Sequence, residues 1–361
     1  MSNAKIKHVL AAEAGAGNPR NDTAGIVELK DGRLLLVWHK YEDGAEGGSD
    51  FGLCRIYAKR SKDGGVSWGD EALLVDVRPG DHNVQAPGIS RLPSGDLLLH
   101  CLRGHEGGSS STMCLFRSSD EGETWREAGC VWERSEGQWL QGGANHMNVL
   151  SGGRLLLPYH FGTGHQGSQH NTVGCFLSDD EGHSWRQAGG TVDLPMRGAM
   201  EASVAELGDG RLVMSLRTQL GAVFLSYSDN VGETWSLPQT SGLKAPESCT
   251  CIRRIPGTKD LVLFYNGSDY DPGRHHYGLR TPLTAALSQD GGGTWRRVGD
   301  IETGPYEFMN VNCMITPSGK AFLTYTKVED PQITEDDKTL PFKRTGMDLV
   351  VAVIEREWFY P

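Results

Sequence analysis

An all-β chain folded as a six-bladed β-propeller is predicted by three observations. One turn octapeptide recurs five times, six apolar hairpins are interleaved with it, and glycine is abundant, at 48 of 361 residues. Many short strands joined by tight turns have that composition; long helices do not. A chain of this length exceeds what one hydrophobic core usually serves, but repeat architectures escape the limit because each unit packs only on its neighbours.

The octapeptide has the form Ser-x-Asp-x-Gly-x-Ser/Thr-Trp. Its copies are SKDGGVSW at 61–68, SSDEGETW at 118–125, SDDEGHSW at 178–185, SDNVGETW at 228–235 and SQDGGGTW at 288–295, the fourth carrying Asn230 in place of Asp. Ser and Asp side chains bond nearby amides, Gly supplies a positive φ, and Trp is large enough to anchor the turn on an apolar face. The spacing and chemistry predict structural turns.

Each hairpin is an apolar run, a Gly-containing turn and a second apolar run. They are GIVELKDGRLLLVW (25–38), GISRLPSGDLLLHC (88–101), MNVLSGGRLLLPYH (147–160), SVAELGDGRLVMSLR (203–217), CIRRIPGTKDLVLFY (251–265) and CMITPSGKAFLTYT (313–326). Hairpin, third strand, box and fourth strand make one four-stranded blade, which gives six blades. The sixth has no box, because the sequence runs out soon after its third strand at 348–357. Its fourth strand is expected from the N-terminal segment KIKHVLAAE at 5–13, a closure that removes free edges. Residues 1–361 are accordingly expected to form a single propeller domain.

Formal net charge is −11, which gives no general attraction for nucleic acid or an anionic membrane, so any acidic ligand needs a local basic pocket. The eight cysteines lack CxxC spacing and sit in strand-like runs, so they read as buried thiols. Cys249 and Cys251 alternate on one strand and share a face. No Rossmann, P-loop or zinc signature occurs, and neither an organic cofactor nor a metal is expected. No apolar run is long enough to span a bilayer. The expected location is cytoplasmic, or secreted if a signal peptide has been removed from ahead of Ser2-Asn3-Ala4.

In a propeller the residues just before each first strand and just after each second strand crowd one mouth of the central channel. Before the first strands lie Arg20-Asn21-Asp22, Asp81-His82-Asn83, Asn145-His146, Glu201, Glu247 and the stretch from Tyr306 to Asn312. After the second strands lie His39-Lys40-Tyr41, Arg103, His105, His160, His165, Arg217, Asn266 and the loop running to Arg280, which carries His275 and His276. A ring this rich in His and Arg is costly to bury as core.

The boxes resemble the Asp-box of sialidases, and the mouth residues extend the resemblance. That family clamps a substrate carboxylate with three arginines and uses an acid/base Asp and a nucleophilic Tyr paired with Glu. The resemblance implies Arg20, Arg217 and Arg280 as the clamp, Asp50 (in SDFGLCRIYAKRS) as the acid/base, Glu201 (in MEASVAELGDGRL) as the Glu, and Tyr306 (in GPYEFMNVN) as the nucleophile. His82, Asn145, His146 and Asn310 complete the expected substrate-binding set. The chain departs from the family in two places. Arg20 stands in Pro-Arg-Asn-Asp where the family has Arg-Ile-Pro, and Tyr306 falls upstream of the nucleophile's usual register, which Asn310 occupies.

Three guanidiniums hold a carboxylate by charge-assisted, partly bidentate bonds. A Tyr nucleophile avoids the repulsion that a carboxylate would meet at the anomeric carbon of a 2-keto acid, and sialidases are the Tyr exception among glycosidases. The expected function is an exo-glycosidase that removes a terminal sialic acid or related 2-keto sugar acid, with an acidic glycan as partner. Two alternatives are a glycosidase or lyase for a uronate, with His82, His146 or Tyr306 moving the proton, and a non-catalytic sugar-binding propeller.

Overall fold

The computed structural model describes residues 5–42, 48–108, 110–133, 139–142, 147–163, 169–335, 337–341 and 343–361. They form six antiparallel sheets arranged as the blades of a propeller, five of them four-stranded and the third with its innermost strand in two pieces. The innermost strands are Asn21–Glu28, Asp81–Arg91, Leu140–Gly142 with Asn148–Val149, Met200–Glu206, Cys251–Arg254 and Tyr306–Ile315. The ring closes as expected. The N-terminal strand Ile6–Ala12 pairs with Asp348–Ile354, from Ile6 opposite Ile354 to Ala12 opposite Leu349.

The core lies between blades. Val27, Leu35 and Val37 of the first blade pack against Val84, Leu97 and Leu99 of the second, and Leu34, Leu36 and Trp38 pack against Phe322, Val351 and Val353 of the closing blade. Alternate residues of one strand therefore feed two different interfaces, which is why these strands are apolar on both faces.

The octapeptides form the turns their chemistry predicts. In the second, Ser118 Oγ donates to Asp120 Oδ1 (2.8 Å) and accepts from the Gly122 amide (2.8 Å), while Asp120 accepts from the Thr124 amide (2.9 Å) and hydroxyl (2.6 Å). Asn230 substitutes by reversing one bond: its amide nitrogen donates to Thr234 Oγ1 (2.8 Å) and its Oδ1 still accepts from the Thr234 amide (3.0 Å). The box glycine also seats each turn on the preceding blade. A Cβ at Gly232, where φ is +89°, would come within 2.4 Å of Leu156 Cδ1.

One repeated irregularity positions the site. The innermost strands of the first, second, fourth and sixth blades break register at Asp22/Ala24, Gln85/Gly88, Met200/Ser203 and Met309/Asn312. At each break a bulge residue takes positive φ: Thr23 (29°), Ala86 (51°), Glu201 (44°) and Asn310 (52°). They stand at the same distance before the residues whose amides close the hairpin turns, Leu29, Leu92, Leu207 and Thr316. A bulge turns one side chain out of the sheet plane, and here all four line the axial cavity.

Candidate active site

A cavity of about 1040 Å³ opens at the mouth where the bulges converge. It brings together Arg20, Asp50, Glu201, Arg217, Arg280 and Asn310, six of the residues singled out from sequence. Asn145 and His146, with His165 of the mouth ring, lie outside the described residues. His82 stands behind the wall: its Nδ1 is 2.7 Å from the His105 carbonyl, and its ring stacks on Trp139, which with Phe51 lines the cavity.

Tyr306 is elsewhere, and the expectation of a nucleophile there is corrected. Its ring lies under the Lys327 ammonium at 4.4 Å, in a separate groove lined by His8, Glu302 and Lys327 at the side of the closing blade. The reason is register. The bulge at Asn310, not the start of the strand, is the point aimed at the axis. The departure of Tyr306 from the nucleophile's register, with Asn310 in its place, is the sequence signal that marked this position.

On one side of the cavity Arg20, 8% exposed, donates through Nε to Asp22 (2.7 Å) and through Nη1 to Asp50 (2.8 Å), with its guanidinium 4.6 Å from the centroid of the Tyr41 ring. Burial pushes the Asp22 carboxyl up, but Arg20 and then His39 and Asn310 outweigh it and hold the group at about 2. Asp50, more than half exposed at the rim, also pairs with Arg344 (3.0 Å). Burial of its surroundings raises its carboxyl, but Arg20 and Arg344 together hold it well below the usual carboxylate range.

On the other side Arg217 donates from Nη1 to Glu201 Oε2 (2.8 Å) and lies 3.4 Å from Glu247, which also takes Arg197 (2.5 Å) and Gln219 (3.1 Å). Burial raises the Glu201 carboxyl, but Arg217 reverses the balance and keeps it an anion. The Cys249 thiol, pushed up to about 12 by burial and by Glu201, is 2.7 Å from Glu201 Oε2 and 3.2 Å from Asn310 Oδ1. The Asn310 amide nitrogen in turn donates to Asp22. A continuous polar chain therefore crosses the floor from Arg20 through Asp22, Asn310, Cys249 and Glu201 to Arg217.

Arg280 differs from the other arginines. It is 6% exposed, its Nη2 reaches only the Glu247 carbonyl (3.0 Å), its Nε is buried without a partner, and no carboxylate stands within ion-pair distance among the described residues. Burial and the nearby Arg217 cation both disfavour its charge. The nearby Glu307 does not offset this fully, because burial pushes its carboxyl up to about 7 against the pull of Arg280.

Two of the histidines brace the backbone. His39 Nδ1 accepts the Ala86 amide (3.0 Å), and His160 Nδ1 meets the Glu201 amide (3.4 Å), so each second strand holds the bulge of the next blade. Burial lowers both rings to about 4, and they are neutral near pH 7. Arg197, Arg344, Trp139 and Phe51 were not legible as cavity residues from sequence. Among the described residues no three His, Cys, Asp or Glu side chains are grouped to hold a metal ion.

The sequence matches the BNR repeat-like domain family over residues 32–361. The chain belongs to that family. Its fold is that of the sialidase-like superfamily, and the solved structures it resembles share little sequence with it. A protein of unknown function from Dyadobacter fermentans superposes with a TM-score of 0.73 at 16% identity, covering 98% of this chain and 99% of that one. The NanB sialidase from Streptococcus pneumoniae gives 0.70 at 14% identity over 97% of this chain and 71% of that one. An alpha-L-arabinofuranosidase from Fusarium graminearum gives 0.67 at 14% identity over 98% of each. This BNR-repeat propeller is thus similar in fold to glycoside hydrolases of more than one specificity.

Proposed function

We propose that this BNR-repeat propeller is an exo-acting glycosidase that removes a terminal acidic sugar. The observation that carries the reading is Arg280, a buried guanidinium at the cavity wall with no carboxylate at ion-pair distance among the described residues. An uncompensated buried charge is costly and is retained where a ligand completes it. Arg20, Arg197, Arg217 and Arg344 line the same cavity with Arg280, against the carboxylates of Asp22, Asp50 and Glu201 and that of Glu247 behind Arg197 and Arg217. That is a local cationic excess in a chain of net charge −11. A sugar carboxylate drawn between Arg217 and Arg280 supplies the missing counter-ion by charge-assisted hydrogen bonds.

Asp50 is placed to protonate the leaving oxygen. In the free protein Arg20 and Arg344 keep it ionised. A bound carboxylate cancels part of that positive field, so Asp50 takes up its proton when substrate is present. Glu201, held as an anion on the floor, faces the reacting carbon.

The test is release of a fluorogenic aglycone from a panel of acidic and neutral glycosides, with Arg280→Met as control. One clamp arginine accounts for about 3 kcal/mol of transition-state binding, so kcat/KM is expected to fall about a hundredfold on acidic substrates. An unchanged kcat/KM in that variant, or a preference for neutral glycosides, refutes the proposal.

A further inference from the structure

A sialidase-type double displacement needs a phenol in the cavity, and this site does not offer one. Among the described residues Tyr41 is the one tyrosine that lines it, and none of the undescribed positions is a tyrosine. Tyr41 is 1% exposed, is covered by the Arg20 guanidinium, and has its phenol pushed well above 10 by burial. At the sixth-blade bulge the side chain is the Asn310 amide, committed at both ends to Asp22 and Cys249. An amide is neither a nucleophile nor a base at neutral pH.

The carboxylates differ in what they have left to offer. Asp22 is fully buried, with Oδ2 on Arg20 and Oδ1 on Thr326, Asn310 and the Thr23 amide. Asp50 sits at the rim, more than half exposed. Glu201 projects from a positive-φ bulge, and both its hydrogen bonds, from Arg217 and Cys249, fall on Oε2. Its Oε1 accepts no hydrogen bond among the described residues, and the side chain lines the cavity. Backbone strain of this kind persists where surrounding contacts over-determine it, and here the Arg217 and Cys249 bonds fix the carboxylate's orientation.

We propose that Glu201 attacks the anomeric carbon directly through Oε1, and that the terminal sugar is a uronic acid. This deepens the glycosidase reading and rests on it. In a 2-keto acid the substrate carboxylate is bonded to the reacting carbon, so a carboxylate nucleophile would approach a like charge at bonding distance. In a uronic acid the carboxylate is on C5, across the ring oxygen from C1, and that conflict is gone. In the first step a bond forms between Glu201 Oε1 and C1. The bond from C1 to the leaving oxygen breaks with its electron pair, and that oxygen takes the proton from Asp50. In the second step water attacks C1, gives its proton to Asp50, and the ester bond returns its pair to Glu201. The sum is glycoside plus water giving free uronic acid plus alcohol, with no change in oxidation state.

Two measurements on the unmodified protein test this. Turnover is compared on 4-methylumbelliferyl uronides of both anomers, the corresponding sialoside, and a neutral arabinofuranoside. The protein is then incubated with 2-deoxy-2-fluoro-uronosyl fluorides and its peptides are weighed. Expected are a kcat/KM at least about a hundredfold higher on one uronide than on the sialoside and a stable ester on the peptide that carries Glu201. Better turnover of the sialoside overturns the inference and leaves the acidic-sugar glycosidase standing. So does an ester on another residue, or an inverted product with no ester. Turnover of the neutral glycoside alone, or of none, overturns the acidic-sugar glycosidase reading and the inference with it.

Discussion

Replacing Glu307 by Gln is expected to stabilise the protein at alkaline pH and to do little at acid pH. Glu307 is 5% exposed, and its Oε2 is buried without a partner. Burial raises its carboxyl from an ordinary 4.5 to about 7, with Arg280 pulling the other way and Asp330 adding to the rise. Below pH 4.5 the folded and unfolded chains both hold the proton, and nothing is lost. Between 4.5 and 7 the folded chain keeps a proton that the unfolded chain has released, so stability falls as pH rises. Above about 7 the loss is complete, at about 1.4 kcal/mol per pKa unit and hence about 3 kcal/mol in all. Glutamine, a neutral isostere of the protonated acid, removes that loss. The gain is expected to be below about 1 kcal/mol at pH 5 and about 3 kcal/mol at pH 8. With an unfolding entropy of about 2.1 cal/mol/K per residue, the larger figure is a rise of about 4 °C in Tm. Calorimetric scans of both proteins at the two pH values measure it. An equal Tm difference at both pH values, or a lower Tm for the variant at pH 8, would refute the claim that Glu307 is held protonated by its surroundings.

Gly232→Ala combines an unfavourable φ with a Cβ 2.4 Å from Leu156 Cδ1, so a loss of about 1–3 kcal/mol is expected, and an unchanged Tm would show that the box is not seated as described. His160→Leu removes the acceptor for the Glu201 amide while leaving every cavity arginine in place. Its kcat is expected to fall about tenfold with KM and far-UV circular dichroism unchanged; a change confined to KM would assign His160 to binding instead. Deleting residues 1–13 strips the partner strand from Asp348–Ile354 and exposes an apolar edge. That variant is expected to aggregate, and a monomeric product with unaltered Tm would contradict the closure.

The propeller was legible because its repeats are local. Each box spells out its own hydrogen bonds in a few consecutive residues, and each hairpin its own turn, so Ser118, Asp120 and Gly122 do in space what their order predicts. The N-terminal closing strand followed from counting strands against boxes. The cavity was legible only in outline. Arg217 ends a regular strand and Glu201 stands on a bulge near the start of its neighbour, and the length of the hairpin between them places both. Arg197 and Arg344 come from loops whose paths are set by packing far along the chain, and no periodicity marks them. Tyr306 was misplaced for a different physical reason. A bulge adds a residue to one strand and resets which side chains face the axis, and this reset leaves no mark in an apolar pattern. The histidines show the same limit: His39 and His160 lie at the mouth as their sequence positions imply, yet their ring nitrogens serve the backbone of the next blade.

Equivalence between blades explains how so regular a fold carries so uneven a site. The bulge residues Thr23, Ala86, Glu201 and Asn310, with Cys249 in the fifth blade, precede Leu29, Leu92, Leu207, Thr316 and Ile255 at one constant spacing. A second set, His39, His160, Arg217, Asn266 and Thr326, follows the turns at another constant spacing and reaches toward the next blade. His39 accepts the Ala86 amide, Asn266 donates to the Phe308 carbonyl (3.2 Å), and Thr326 donates to Asp22 (2.8 Å). Arg217 of the fourth blade reaches toward the next blade in the same way, to Glu247 (3.4 Å), and within its own blade it also makes an ion pair with Glu201 at the cavity floor. The backbone thus fixes where these side chains point, and their identities set the chemistry. A change from phenol to amide at the sixth-blade bulge alters the nucleophile without altering a strand. Asn310→Tyr, though it sets a bulky side chain at φ 52° and removes a donor to Asp22, is the substitution most directly suited to ask whether a phenol at this position takes over the attack from Glu201.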